Sequence, residues 1–97
     1  MTQQVHRLGD ICSGHGCFPS RPNVSASPNV YVNGIPVHRQ GDAWAVHCCP
    51  PPVCHDSVLA SGSSTVFANG IQLGRVGDPV ACGSVAASGS ANVFAGG

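Results

Sequence analysis

The sequence predicts an all-β fold built from short strands and hairpins in three similar units. The 97 residues contain no Lys and no Glu, and Val, Gly, Ser, Asn and Pro are abundant. Strong helix formers other than Ala are nearly absent, so we expect almost no helix. Residues 27–42 and 63–78 also align without a gap at an offset of 36. Such self-similarity in so short a chain predicts a single domain, residues 1–97, made of repeated units.

Each aligned segment has the pattern of a β-hairpin. Alternating apolar residues lead into Asn-Gly at positions 33–34 and again at positions 69–70. Asn-Gly favours a two-residue type I′ turn, because both residues tolerate positive φ. A third, partial copy at residues 90–97 stops at its turn, and residues 7–10 match the end of the two complete copies. We therefore expect the two chain ends to form the third unit together.

The charges and the hydropathy exclude several classes of partner. Four Arg balance four Asp, so the formal net charge is +0 and no basic surface for nucleic acid is expected. No apolar run is long enough to cross a bilayer, and the polar N-terminus does not resemble a signal peptide. We therefore predict no nucleic-acid partner, no stable membrane anchor and synthesis in the cytoplasm.

Residues 47–55 carry two His and three Cys around a run of three prolines. These side chains bind borderline-soft metals such as zinc, and the prolines make a stiff bend with one His at each end. His15 and His47 each lie five residues after a Gly-Asp pair, and Cys82 lies four after the third pair. Around a pseudo-threefold axis these positions converge. We predict a closed, four-coordinate zinc site of His15, His47, His55 and Cys82.

The other cysteines have competing interpretations. Six Cys would form a disulfide framework in a small secreted protein, but the missing signal peptide favours reduced or metal-bound thiols. Five of them are alternative metal ligands: Cys12, Cys17, Cys48, Cys49 and Cys54. We expect these five to be small buried apolar residues instead, with Cys48 facing away from a metal held by His47.

Several other residues are expected to have structural roles. His6 and His38 fall outside the ligand register, and we expect them at the surface or in hydrogen bonds. The aspartates of the Gly-Asp pairs should bond to the backbone of their own turns rather than act as catalytic acids. Trp44 and Phe18 are expected in the core.

At these residues the chain resembles the PAAR-repeat proteins, in particular the small spike-tip proteins of contractile-tailed phages. The resemblance covers nearly the whole chain: residues 15–19, both Val-x-x-Asn-Gly hairpins, the Gly-Asp turns, the histidines at 47 and 55, and residues 81–83. The Pro-Ala-Ala-Arg that names the family corresponds here to Gln-Val-His-Arg at residues 4–7. The resemblance implies a small cone of short strands whose apex is stapled by zinc, held by the same four residues.

The resemblance also implies a function. We expect a structural, non-enzymatic tip that caps and sharpens a trimeric β-helical spike, one tip chain per trimer, and aids envelope penetration. A cap of this kind would cover the exposed strand edges of the spike. The protein would be made in the bacterial cytoplasm and would act at a phage tail tip in the virion or at a type VI secretion spike tip.

Two other functions are consistent with parts of the sequence. A small zinc enzyme would need an open coordination position and a nearby general base, and the chain has no Glu. A disulfide-rich binding module would need oxidised cysteines.

Overall fold

The computed structural model describes residues 2–97, which contain eight short strands. These are β1 (Gln3–Gln4), β2 (Tyr31–Val32), β3 (Ile35–Pro36), β4 (Ala43–Cys49), β5 (Val53–Val58), β6 (Phe67–Ala68), β7 (Ile71–Gln72) and β8 (Phe94–Ala95). They pair as four antiparallel two-stranded sheets, β1–β8, β2–β3, β4–β5 and β6–β7. Residues 2–97 form no helix, and hence none that could span a membrane. The all-β prediction is confirmed.

The two Asn-Gly sequences form the predicted turns. Asn33 and Asn69 both have φ of 56°, and the glycines that follow them, Gly34 and Gly70, both have φ of 74°. Positive φ at both central residues is the signature of the type I′ turn, whose twist matches that of the two strands it joins.

The third hairpin is formed by the two ends of the chain. Strand β8 pairs with β1, and Ala95 lies opposite Gln3 in the register that Val32 has with Ile35 in the β2–β3 hairpin. The predicted assembly of the third unit from both chain ends is confirmed. We call residues 3–10, 27–42, 63–78 and 90–97, which contain the hairpins β8–β1, β2–β3 and β6–β7, together the base.

The three units close into a ring of backbone hydrogen bonds. The amide of His38 donates to the carbonyl of His6 at 3.0 Å, and the amide of Gly74 donates to His38 at 2.8 Å. The amide of His6 donates to the carbonyl of Gly74 at 2.9 Å, which completes the circle. Each unit donates once and accepts once, so the ring leaves no unpaired edge among these residues. This pattern confirms the pseudo-threefold arrangement.

Each unit also contains one Arg–Asp ion pair. The pairs are Arg7–Asp10 at 3.0 Å, Arg39–Asp42 at 2.9 Å and Arg75–Asp78 at 2.9 Å. In all three, the carboxylate also accepts a hydrogen bond from the backbone amide of its own Arg. The expected bond to the turn backbone is therefore present, and the arginine is an additional partner that the sequence analysis missed.

Neighbouring units of the base are joined through serine hydroxyls. At two joints the turn asparagine accepts the hydrogen bond, in the pairs Ser90–Asn33 and Ser27–Asn69, each 2.6 Å. At the third joint Ser63 donates instead to the backbone carbonyl of Gly96. The Arg75 guanidinium donates to the same carbonyl at 2.9 Å. A carbonyl near the end of the chain thus replaces an asparagine side chain.

Two buried clusters fill the interior. One lies within the base and contains Val5, Val37, Ala68, Leu73 and Ala95. The other contains Cys12, Trp44, Leu59, Val80 and Ala86 and lies among the three long loops, residues 11–26, 43–62 and 79–89. These loops follow the Asp of each unit, and we call them together the apex. The molecule is elongated, with extents of 40 × 27 × 21 Å.

His6 and His38 are fully buried within the ring, so their predicted surface location is wrong. The alternative prediction, hydrogen bonding, is right: their Nδ1 atoms lie 2.7 Å and 2.8 Å from the carbonyls of Ser88 and Ser25. The third equivalent residue is Gly74, where an added Cβ would lie 2.9 Å from Leu59 Cδ2. A leucine from the apex thus fills the space that a third histidine would need.

Four of the six cysteines form disulfides, Cys17–Cys49 and Cys48–Cys54. The expectation of buried, unpaired thiols is therefore wrong for these four and right for Cys12, which is buried and free. The reason is the β4–β5 hairpin, which places Cys48 opposite Cys54. Because side chains alternate along a strand, Cys49 points to the other face and is bonded there to Cys17. Cys48 does face away from His47, as predicted.

Candidate metal centre

The apex brings together the three residues at the repeat positions and the second histidine of the proline bend. His15 comes from the first loop, His47 and His55 face each other on β4 and β5, and Cys82 comes from the third loop. Their ligand atoms all lie within 4.8 Å of one another. His47 is buried and the other three are half-buried. This group of side chains could hold a metal ion.

The three imidazoles are slightly closer together than the ligands of one shared tetrahedral ion. Nε2 of His55 lies 3.1 Å from Nε2 of His15 and 2.7 Å from Nε2 of His47. Around a tetrahedral metal with bonds of about 2.0–2.1 Å, two ligand nitrogens lie about 3.3 Å apart. A neutral ring nitrogen carries either one hydrogen or one lone pair, so hydrogen bonding alone cannot satisfy both neighbours of His55. A cation between the rings would satisfy all three.

A hydrogen bond from His47 fixes which of its ring nitrogens can bind metal. Its Nδ1 lies 2.9 Å from the carbonyl oxygen of Pro19, which only accepts, so Nδ1 carries the proton. The Nε2 lone pair is then free to point toward the other two rings. Desolvation lowers the pKa of His55, and the adjacent His47 and His15 lower it further. These interactions favour the neutral imidazole, the form that binds metals.

Cys82 is stabilised as a thiolate by its surroundings. Burial raises the pKa of its thiol, but hydrogen bonds from Ser84 and Ser57 and the positive charge of Arg21 outweigh this, so the pKa is lowered overall. Nη2 of Arg21 lies 3.1 Å from the sulfur, while Nη1 donates to the carbonyl of His55 at 3.1 Å. Arg21 therefore contacts two of the four candidate ligands, and the thiolate is the form that metals bind.

The prediction that Phe18 lies in the core is wrong. Phe18 is half-buried and lies among the three candidate histidines. Its ring centroid lies 4.8, 4.9 and 4.3 Å from those of His15, His47 and His55. An aromatic ring in this position shields the imidazoles from water on one side.

Sequence reasoning missed the role of Arg21 at this site, although one signal was available. The other three arginines each precede an aspartate by three residues, and Arg21 does not. An arginine without a local partner in a chain with so few charges is a candidate for a buried role elsewhere.

The ring of three units and the His/Cys cluster define a small all-β protein whose apex could hold a metal ion. The model of the PAAR motif matches residues 19–88, which is most of the chain, and the protein belongs to the PAAR-motif family. The matched range includes His47, His55 and Cys82 and begins after His15. No curated protein sequence matches the chain. Membership in this family implies a spike-tip role in a contractile injection or type VI secretion machine.

Proposed function

We propose that this chain is the tip of a trimeric β-helical spike, with one chain on each trimer. The observation that carries the proposal is a set of three aromatic side chains at equivalent positions of the base. Tyr31, Phe67 and Phe94 are 56%, 54% and 53% exposed. Large apolar side chains that stay exposed on a monomer mark a contact surface, and aromatic residues dominate the binding energy of such surfaces. Three equivalent anchors suit a partner with three identical sites.

The contact should depend little on salt. The guanidinium groups of Arg7, Arg39 and Arg75 are already paired with aspartates in the same unit. The base therefore offers few free charges to a partner, and apolar and backbone groups would make most of the contacts. Interactions of this kind are not screened by added ions.

The docking proposal is tested with the trimeric spike protein of the same contractile machine. Light scattering should give a complex mass of one tip chain per trimer, and three tip chains per trimer would contradict the proposal. Replacing Tyr31, Phe67 and Phe94 together by Ala should abolish binding, and each single change should weaken it at least about 10-fold. The matched control replaces two exposed apolar residues of the apex, Val46→Ser and Val53→Ser, and should bind normally.

We further propose that the metal is zinc, held by His15, His47, His55 and Cys82. Imidazole nitrogen and thiolate sulfur are donor types that tetrahedral structural zinc takes, and bound zinc would supply folding energy to a domain with a small core. Metal analysis should find one zinc per chain. Cys82→Ser should lose most of it, whereas Cys12→Ala should retain it. Equal loss from both variants would refute the ligand assignment.

The proposed role is structural rather than catalytic. Four protein ligands would fill a tetrahedral ion and leave no position for a reacting water. Three of the four aspartates are engaged by arginines, and the chain has no Glu to act as a general base. The proposed site of action is the tip of a phage tail or of a secretion spike, where a stiff apex aids envelope penetration.

A further inference from the structure

The cysteines of the two disulfides lie close in sequence to the three candidate histidine ligands. Cys17 lies two residues after His15, and the pair Cys48-Cys49 directly follows His47. Cys54 directly precedes His55. Each of the three histidines is therefore within two residues of a cysteine that forms a disulfide.

The Cys48–Cys54 bond lies one step along the same strand ladder from the histidine pair. In the β4–β5 hairpin, His47 faces His55, and the next pair toward the proline loop is Cys48 with Cys54. A one-residue slip of this hairpin would move one of the two imidazoles to the opposite face. The disulfide prevents that slip, because it links the two strands at a fixed register.

The Cys17–Cys49 bond connects the remaining histidine to the same hairpin. His15 and Phe18 exchange backbone hydrogen bonds of 3.0 Å and 2.8 Å, so Cys17 lies in the tight turn between them. Cys49 lies two residues after His47 on β4, on the same face of the strand. The bond therefore joins the turn that carries His15 to the strand that carries His47.

We propose that the two disulfides position the three histidines of the metal centre, and that their oxidation slows the loss of the metal. Together they join the segments of His15, His47 and His55 into one cross-linked unit, while Cys82 is oriented separately by Arg21. A cross-linked set of ligands has fewer conformations to lose when it binds an ion, and a ligand that dissociates stays close to rebind. The inference rests on the proposed zinc centre. It adds that oxidation of the four cysteines controls how fast the zinc is lost.

The chemistry requires an oxidant. Each disulfide forms when two thiols lose two electrons and two protons, and a disulfide-bearing oxidant takes them up as its own S–S bond breaks into two thiols. Such exchange is favoured outside the reducing cytoplasm. Cys17, Cys48 and Cys54 are exposed, so oxidants and reductants can reach at least one cysteine of each bond.

The test measures how fast zinc passes from the full chain to an excess of a coloured chelator. The oxidised chain is compared with the same chain reduced by a phosphine and with that chain reoxidised by glutathione disulfide. We expect release at least tenfold faster after reduction and recovery of the slow rate on reoxidation. The double variants C17S/C49S and C48S/C54S should each release zinc faster, and Cys12→Ala should match the wild type. Equal rates in oxidised and reduced chains would overturn the proposal.

A second measurement separates positioning of the ligands from general destabilisation. Gly34→Ala weakens a turn of the base and leaves both disulfides intact, so it should release zinc at the wild-type rate. Release accelerated as much as in the disulfide variants would overturn the proposal. Cobalt absorption provides an independent readout, because the ligand-field bands should broaden in the double variants and stay unchanged in Gly34→Ala.

The outcomes also distinguish this inference from the proposed function. If the oxidised and the reduced chain both bind zinc and release it at the same rate, only the role of the disulfides is refuted. If neither oxidised nor reduced chain binds zinc, the proposed zinc centre is refuted as well. Docking to the spike trimer involves the base, so it should be the same for oxidised and reduced chains in either case.

Discussion

The base and the apex are held together by different kinds of interaction. In the base, three similar units repeat the same hydrogen bonds, ion pairs and turns, so each stabilising contact occurs two or three times. In the apex, the three loops differ in length and sequence, and the contacts are made once: two disulfides and one cluster of metal-binding side chains. Repetition suits a surface that meets a symmetric partner, whereas a single ion needs only one set of ligands.

Metal removal should have the largest effect and should reveal this difference directly. Because metal binding contributes folding energy, chelation of the reduced chain should lower the free energy of unfolding by several kcal/mol and the melting temperature by more than about 10 °C. Hydrogen exchange should become fast in residues 43–62 while the ring amides of His6, His38 and Gly74 stay protected longest. An unchanged melting temperature would contradict the metal's role. Simultaneous loss of protection in both regions would show that base and apex unfold as one unit.

Removal of one charge from a repeated ion pair should be nearly as damaging within the base. Asp78 and Arg75 are both buried, so Asp78→Asn leaves the guanidinium without its counter-ion and should cost about 3–5 kcal/mol in urea unfolding. Asp56 is exposed on β5, and Asp56→Asn should change stability by less than about 0.5 kcal/mol. Equal effects of the two changes would mean that the repeated pairs are not what stabilises the base.

Acid should destabilise the ring through its buried histidines. Burial lowers the pKa of His38 from 6.5 to about 4, and it lowers that of His6 as well. Between pH 6.5 and about 4, His38 binds a proton in the unfolded chain but not in the folded protein. The free energy of unfolding should therefore fall as pH drops from about 6.5 to about 4. The expected loss from His38 is about 3 kcal/mol.

A matched variant isolates this effect from protonation of the metal ligands. His38→Asn retains a donor for the carbonyl of Ser25 but has no group that titrates in this range. Urea unfolding at several pH values, with zinc in excess, should show a shallower pH dependence in the variant. Parallel curves for the wild type and the variant would show that His38 does not cause the acid sensitivity.

The smallest effect is expected at a turn of the base. Gly34 has φ of 74°, and an added Cβ would meet nothing within 4 Å, so Gly34→Ala should cost only the backbone penalty of about 1–2 kcal/mol. Ala91→Ser, at an exposed position, should be nearly neutral. A cost above that of Asp78→Asn would reverse the order proposed here and make the turns the main stabilising element.

Most of the base could be predicted from the sequence because its structural units correspond to sequence repeats. The Asn-Gly turns, the alternation around them and the match between the two chain ends led to the correct units. The sequence also predicts which four side chains cluster at the apex, because His15, His47 and Cys82 follow the same repeat and His55 ends the proline bend. The ring of hydrogen bonds itself, and the burial of His6 and His38, depend on how the units pack together, and a local pattern does not show that.

The disulfides were missed for a different reason. The missing signal peptide predicts reduced thiols, and strand alternation predicts only that Cys48 faces away from His47, without saying which residue lies opposite it. If His47 faces His55 across the bend, Cys48 must face Cys54, and that pairing could have been read from the spacing. The bond between Cys17 and Cys49 joins distant loops, so it needed the three-dimensional structure.

Pairing of β1 with β8 makes the chain almost circular. Ala95 lies opposite Gln3 in the same way that Val32 lies opposite Ile35. In the β2–β3 hairpin, two residues are enough to connect the paired strands. A covalent link of Asn-Gly from Ala95 to Gln3 would therefore create a third turn like the other two, and its asparagine would take over the contacts of the Gly96 carbonyl. A permuted chain that begins at Gly70 and ends at Asn69 should then fold to the same structure. The contacts between the three units do not depend on which unit comes first in the chain.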